Sequence, residues 1–147
     1  MALGMFLVLL VLDQLVKFLV MLTMTPGESV PVIKNVFHIT YVLNPGAAFG
    51  MLPHQSWFFI LAGAVMIAAF GYYYPRLKRH TAYFHYGCVA LLAGAVGNLI
   101  DRIRSGLVVD FFDFRIWPVF NIADIAIVLG VASMIYAILY KEKETDE

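Results

Sequence analysis

Long apolar runs separated by short polar connections set the frame of this chain. Ala2 to Leu22, Trp57 to Tyr74, Tyr83 to Ile100 and Ile122 to Tyr140 each come close to the roughly 20 mostly apolar residues that a membrane-spanning helix needs. The pattern predicts a membrane all-α fold of four transmembrane helices, over about residues 2–22, 57–74, 83–100 and 122–140, forming a single polytopic domain across residues 1–147. The first run is read as a retained helix: it has no basic leader, it is interrupted by Asp13, Gln14 and Lys17, and no Ala-x-Ala-like cleavage site follows. Between the first two runs the period changes. Phe37, Ile39, Tyr41 and Leu43 alternate with Val36, His38, Thr40 and Val42, which predicts a small β-cradle within about residues 26–50.

Composition agrees with this reading. Hydrophobic residues make up 62% of the chain and charged ones 14%, with a mean hydropathy of +0.83; soluble domains average about 45–50% and about 25%. A formal net charge of +0, with no basic stripe interleaved with aromatics, speaks against a nucleic-acid partner. The single cysteine, Cys88, lies inside the third run, so it has no thiol partner within the chain.

Lysine and arginine in short connections set orientation. Arg76, Lys78 and Arg79 share one tight link and Lys141 and Lys143 follow the last run, whereas the stretch from Thr23 to Ser56 holds only Lys34. Both termini are therefore expected on the cytoplasmic side. The connections from Thr23 to Ser56 and from Asp101 to Asn121 then share the outer face, where Arg102, Arg104 and Arg115 flank the carboxylates and are expected to pair with them.

Four polar groupings stand out against this apolar background. Asp13 and Lys17 share a helix face at the i, i+4 spacing, either as a self-neutralising pair or as a site-orienting one. Asn44-Pro-Gly46-Ala-Ala-Phe-Gly50 combines a turn signal with a candidate site residue at Asn44. On the third run, Ala90, Gly94 and Asn98 form a small-residue face that continues into Asp101 and Arg102. Last come Asp110, in the aromatic stretch Val108-Val-Asp-Phe-Phe, and Asp124, three residues after the candidate N-cap Asn121. Asp124 alone can be explained as a capping-box partner; Asp110 has no helix start to serve. Carboxylates brought close together share a proton, so that one can activate water while the other protonates a leaving group. Asp113 is three residues from Asp110 and faces the opposite way in an extended strand.

No His-Glu-x-x-His or Gly-x-Ser-x-Gly motif is present, and the four histidines lack ligand spacing, so neither metal nor cofactor is expected. From the residues alone, a proton-coupled carrier using Asp13, Lys17, Asp101 and Asp124 as a relay stays open beside hydrolysis.

The ordered set Asp13-Gln-x-x-Lys17, Asn44-x-Gly-Ala-Ala-Phe, Gly97-Asn-Leu-Ile-Asp-Arg102, Val108-Val-Asp-Phe111 and Phe120-Asn-Ile-Ala-Asp124 resembles the bacterial lipoprotein signal peptidases, the signal peptidase II family. The resemblance implies an aspartic endopeptidase of the bacterial inner membrane, working as a monomer among membrane lipid with its site near the outer face. Its implied substrate is a diacylglyceryl-modified prolipoprotein, cut just before the lipidated cysteine. Asp110 and Asp124 match the family's catalytic pair. Asp13, Lys17, Asn44, Gly46, Asn98, Asp101, Arg102, Asn121 and Ala123 match positions that bind substrate or support the site.

Overall fold

A computed structural model describes residues 1–46, 55–77 and 79–141. Four helices follow the four apolar runs: α1 Ala2–Thr23, α2 Ser56–Leu77, α3 Ala82–Ser105 and α4 Ile122–Tyr136, the last continued by a π-helical turn over Ala137–Lys141. All four are long and apolar enough to cross a membrane. Half of the α3 span is buried inside the protein, against 6% of the α2 span, so α3 is the hub. It packs against α1, α2 and α4, while Leu7, Val11, Leu15 and Phe18 of α1 stay exposed, as lipid-facing side chains do.

Small residues let α3 and α4 approach closely. A Cβ added to Gly130 of α4 would stand 2.6 Å from the Gly87 carbonyl oxygen and 2.7 Å from the Leu91 nitrogen of α3, distances that only glycine permits. α3 also runs more than a turn beyond its expected end at Ile100. The drop in hydropathy at Asp101 marks a change of surroundings and not the end of the helix. The helix stops at Gly106, which takes a left-handed conformation (φ 76°) and donates its N–H to the Arg102 carbonyl.

Three strands complete the fold, β1 Ser29–Ile33, β2 Phe37–Asn44 and β3 Val108–Asp113, in an antiparallel sheet of order β1-β2-β3. The expected cradle lay in the first connection alone; its third strand comes from the connection between α3 and α4, with Val42 opposite Asp110 and Asn44 opposite Val108. Residues 47–50 of the expected β region lie outside the described residues. Tyr41, Val109 and Phe111 form a buried cluster with Val20 of α1. Strand alternation therefore turns Val108 and Asp110 to the opposite face, where both line a cavity.

Candidate active site

The cavity holds about 910 Å³ and is lined by Asn44, Gly46, Asn98, Arg102, Asp110 and Asp124 at its polar end. Its apolar walls come from α2, through Phe59, Ala62 and Met66, and from α4, through Ile125 and Val128. α2 and α4 each pack on α3 and make no extensive contact with one another among the described residues.

Local structure explains why Asp124 points where it does. Asn121 caps α4: its side-chain oxygen accepts the Asp124 N–H at 2.9 Å, and Asp124 Oδ2 accepts the Asn121 N–H at 3.1 Å, a complete capping box. The other Asp124 oxygen accepts from Asn98 Nδ2 at 2.8 Å. Asn121, fully buried, uses its amide nitrogen to donate to Asp110 Oδ1 at 2.7 Å and to Asn98 Oδ1 at 3.0 Å. Asn44 Nδ2 donates to Asp110 Oδ2 at 2.9 Å, and that amide is itself oriented by the Gly46 N–H, which donates to Asn44 Oδ1 at 2.9 Å. Every carboxylate oxygen of Asp110 and Asp124 thus accepts one hydrogen bond, and both side chains line one cavity.

The two aspartates feel one another. Burial, and next the negative charge of Asp124, push the Asp110 carboxyl up to about 7, against the opposing pull of hydrogen bonds from Asn44 and Asn121 and of the Lys17 charge. Asp113 behaves in the opposite way. Burial pushes its carboxyl upward, but hydrogen bonds from Thr40 and Arg115 outweigh this and hold it below its ordinary range. Its oxygens are taken up by Thr40 Oγ1 at 2.7 Å and by Arg115 Nη1 and N at 2.8 Å each.

Beneath the cavity, Asp13 and Lys17 are paired at 3.0 Å, as the i, i+4 spacing suggests, and Lys17 also meets Asp101 at 2.8 Å. Ala123 takes part through its backbone N–H, which donates to Asp13 Oδ1 at 2.8 Å. Arg102 donates to the Gly46 carbonyl at 2.9 Å and lies 4.6 Å above the Phe59 ring. Two participants escape the sequence reading. Gln14 donates to Asp13, to the Gly97 carbonyl and to Asp101 at 3.1 to 3.2 Å; a polar side chain inside an apolar run was the available signal. Phe59 carries none, being one aromatic in an apolar span. Among the described residues no cluster of three or more His, Cys, Asp or Glu is placed to hold a metal ion.

A family profile described as Signal peptidase (SPase) II matches residues 5–140. The chain belongs to the signal peptidase II family. Membership makes it a peptidase of aspartic type. The chain is 49% identical over 140 residues to the lipoprotein signal peptidase of Halothermothrix orenii, covering 95% of this chain and 96% of the relative. It is 47% identical over 132 residues to that of Pelotomaculum thermopropionicum, covering 90% and 87%. A solved bacterial membrane enzyme, determined by the in meso method at 2.3 Å resolution, superposes with a TM-score of 0.91 at 33% identity, over 99% of this chain and 91% of that one. Arrangement and sequence thus agree on a membrane-enzyme fold of four helices and a small antiparallel sheet for this signal peptidase II family member.

Proposed function

We propose that this peptidase removes the signal peptide from diacylglyceryl-modified prolipoproteins, cutting before the lipidated cysteine, with Asp110 and Asp124 as the catalytic pair. The observation that carries the reading is the placement of both carboxylates at the polar end of one otherwise apolar cavity. A water held between them is activated when the ionised aspartate removes its proton while the protonated one gives its own to the scissile carbonyl oxygen, so that attack yields a neutral tetrahedral gem-diol. On collapse the aspartate that took the water's proton delivers it to the departing amide nitrogen, and the other recovers a proton from a gem-diol hydroxyl. The pair acts as one proton-sharing unit. Asn44, Asn98 and Asn121 orient the two carboxylates, the acyl chains lie against the apolar walls of α2 and α4, and the extended peptide runs beneath the sheet. The enzyme works as a monomeric single domain in the bacterial inner membrane, with both termini cytoplasmic and the pair near the outer face. The relay reading is weaker, because Asp13, Lys17 and Asp101 are locked to one another in a buried ion cluster.

The test is processing of a prolipoprotein by purified protein in detergent, with the diacylated and unmodified forms compared and a chelator present. Cleavage of the diacylated form alone, at the cysteine and insensitive to the chelator, is expected; efficient cleavage of the unmodified form would overturn the lipid part of the assignment. Rate should also depend on pH. A carboxyl raised from 3.8 to about 7 keeps its proton up to near neutrality, so the acid role is available below that point. Activity should therefore fall as pH rises through about 7, and a rate still climbing well above it would contradict the shared proton. The same shift means that the folded state binds more protons than the unfolded one between these two values, so fold stability declines as pH rises through that window.

A further inference from the structure

Hydrolysis as proposed uses neither Asp13, Lys17 nor Asp101, yet these three form the most elaborate polar construction in the bundle. Lys17 Nζ lies 3.0 Å from Asp13, 2.8 Å from Asp101 and 2.9 Å from Asn98 Oδ1, so each ammonium hydrogen has its own acceptor. Asp13 and Lys17 are 1% exposed and Asp101 6%. Burying charges so thoroughly is costly, and one partner would suffice to make a lysine tolerable in a span. The Gln14 amide also bridges the two carboxylates, donating to Asp13 Oδ2 at 3.2 Å and to Asp101 Oδ1 at 3.1 Å, and their bonds to the backbone show a pattern. Asp13 Oδ1 accepts the N–H of Ala123, the residue just before Asp124. Asp101 Oδ2 accepts the N–H of Val109, the residue just before Asp110, at 3.2 Å. The Ala123 group is a free donor in the first turn of α4 and the Val109 group points off the outer edge of β3; neither has a partner in its own element.

We propose that Asp13, Lys17 and Asp101 act as one positioning device that sets the separation of Asp110 and Asp124, with Lys17 as the link between the two grips. Each carboxylate holds the backbone one residue ahead of a catalytic aspartate, and the ammonium, with the Gln14 amide beside it, fixes the distance between the carboxylates. Asn98, which accepts from Lys17 and donates to Asp124, extends the same linkage to a side chain. The proposal rests on the catalytic pair assigned above. A misplacement of about 1 Å can cost about 10²-fold in rate, so the device acts on turnover and leaves substrate binding alone; none of its three members lines the cavity.

The experiment is steady-state processing of diacylated prolipoprotein by Asp13→Asn, Asp101→Asn, the double variant, Lys17→Met and Lys17→Arg, with Asp110→Asn and Asp124→Asn alongside. At Asp13 an asparagine keeps an oxygen for the Ala123 N–H and turns an amide toward the Lys17 ammonium; at Asp101, whose Oδ2 takes both Lys17 and the Val109 N–H, it removes the charge that holds the ammonium, and at both positions the volume is preserved. Each single variant should lose about 10²-fold in kcat with KM within about three-fold of the parent, and the double variant should lose little more than either single one. The pH profile separates charge from geometry. The charged groups acting on Asp110 are Lys17 from α1, Arg102 from α3 and Asp124 from α4, beside the neutral donors Asn44 and Asn121. Lys17→Met removes a positive charge from that set and should carry the alkaline limb to higher pH, whereas Lys17→Arg should leave the limb in place and still lose kcat. If Lys17→Met melts out in detergent, Lys17→Arg and Asp13→Asn decide. Parent-like kcat in Asp13→Asn and Asp101→Asn, a loss carried by KM, or an equal limb shift in both Lys17 variants overturns the device. Near-native activity in Asp110→Asn or Asp124→Asn instead overturns the catalytic pair itself.

Discussion

Asp110→Asn and Asp124→Asn are each expected to lower kcat by about 10³-fold or more, within the range that general acid–base catalysis supplies, while Asp113→Asn stays within a few-fold of the parent. The reason is the division of hydrogen bonds. Asp110 and Asp124 face the same cavity, and burial with the Asp124 charge holds the Asp110 carboxyl near neutrality, so a proton can move between the pair at working pH. An amide can neither take the water's proton nor return one to the leaving nitrogen. Asp113 is committed to Thr40 and Arg115 and is held ionised. The two active-pair variants differ in a second respect. Asn121 is already a donor to Asp110, as is Asn44, so an amide at 110 must set one NH2 against another. An amide at 124 weakens the capping box, costing about 1 kcal/mol of helix stability. The double variant should be hardly slower than either single one, because groups that act as a unit do not add. Single-turnover kinetics on diacylated prolipoprotein is the measurement; near-parent rates for either variant sink the assignment.

Gly94→Ala is expected to be nearly as damaging, although it removes no functional group. A methyl there would collide with the Ala123 carbonyl oxygen and stand 2.9 Å from Ile127 Cγ1. The first neighbour is backbone in the opening turn of α4 and cannot rotate away, so α3 and α4 must part. Overpacking of this kind costs about 1–3 kcal/mol. Function should suffer beyond that figure, since Asn98 lies one turn along α3 and reaches across to Asp124. A helix that has moved outward leaves that bond stretched. Gly71→Ala is the control: nothing lies within 4 Å of the added carbon, and alanine is the better helix former by about 1 kcal/mol. Thermal melting and processing rate measured together should show Gly94→Ala low in both, and Gly71→Ala level with the parent in rate and at or slightly above it in melting; equal behaviour of the two would show that the α3–α4 contact can yield.

What could be read from the chain follows the range of the physics involved. Spans are local sums of hydropathy, and all four emerged near their true bounds. Asn121 and Asp124 were legible as a capping box because that motif closes within one turn. The third strand was not assigned to the cradle because two helices separate β2 from β3 in sequence, and nothing local to Val108–Asp113 records its partner. The Lys17 to Asp101 contact was hidden for the same reason: helix spacing rules pair Lys17 with Asp13 and say nothing about α3. The face of the third run continues into Asp101 and Arg102 by helix spacing, but its apolar span ends at Ile100, because hydropathy falls where polar residues begin; the helix itself runs on to its stop at Gly106.

The separation of α2 from α4 has a consequence for how the reaction must be measured. Among the described residues the walls of the cavity come from two helices that each pack on α3 and make no extensive contact with one another, so in the proposed reading a lipid-anchored substrate enters between them by two-dimensional diffusion and never crosses bulk water. Its effective concentration is then a mole fraction in the surrounding amphiphile. Diluting the micelles with detergent at fixed substrate should slow processing, and diluting the whole sample with buffer should not.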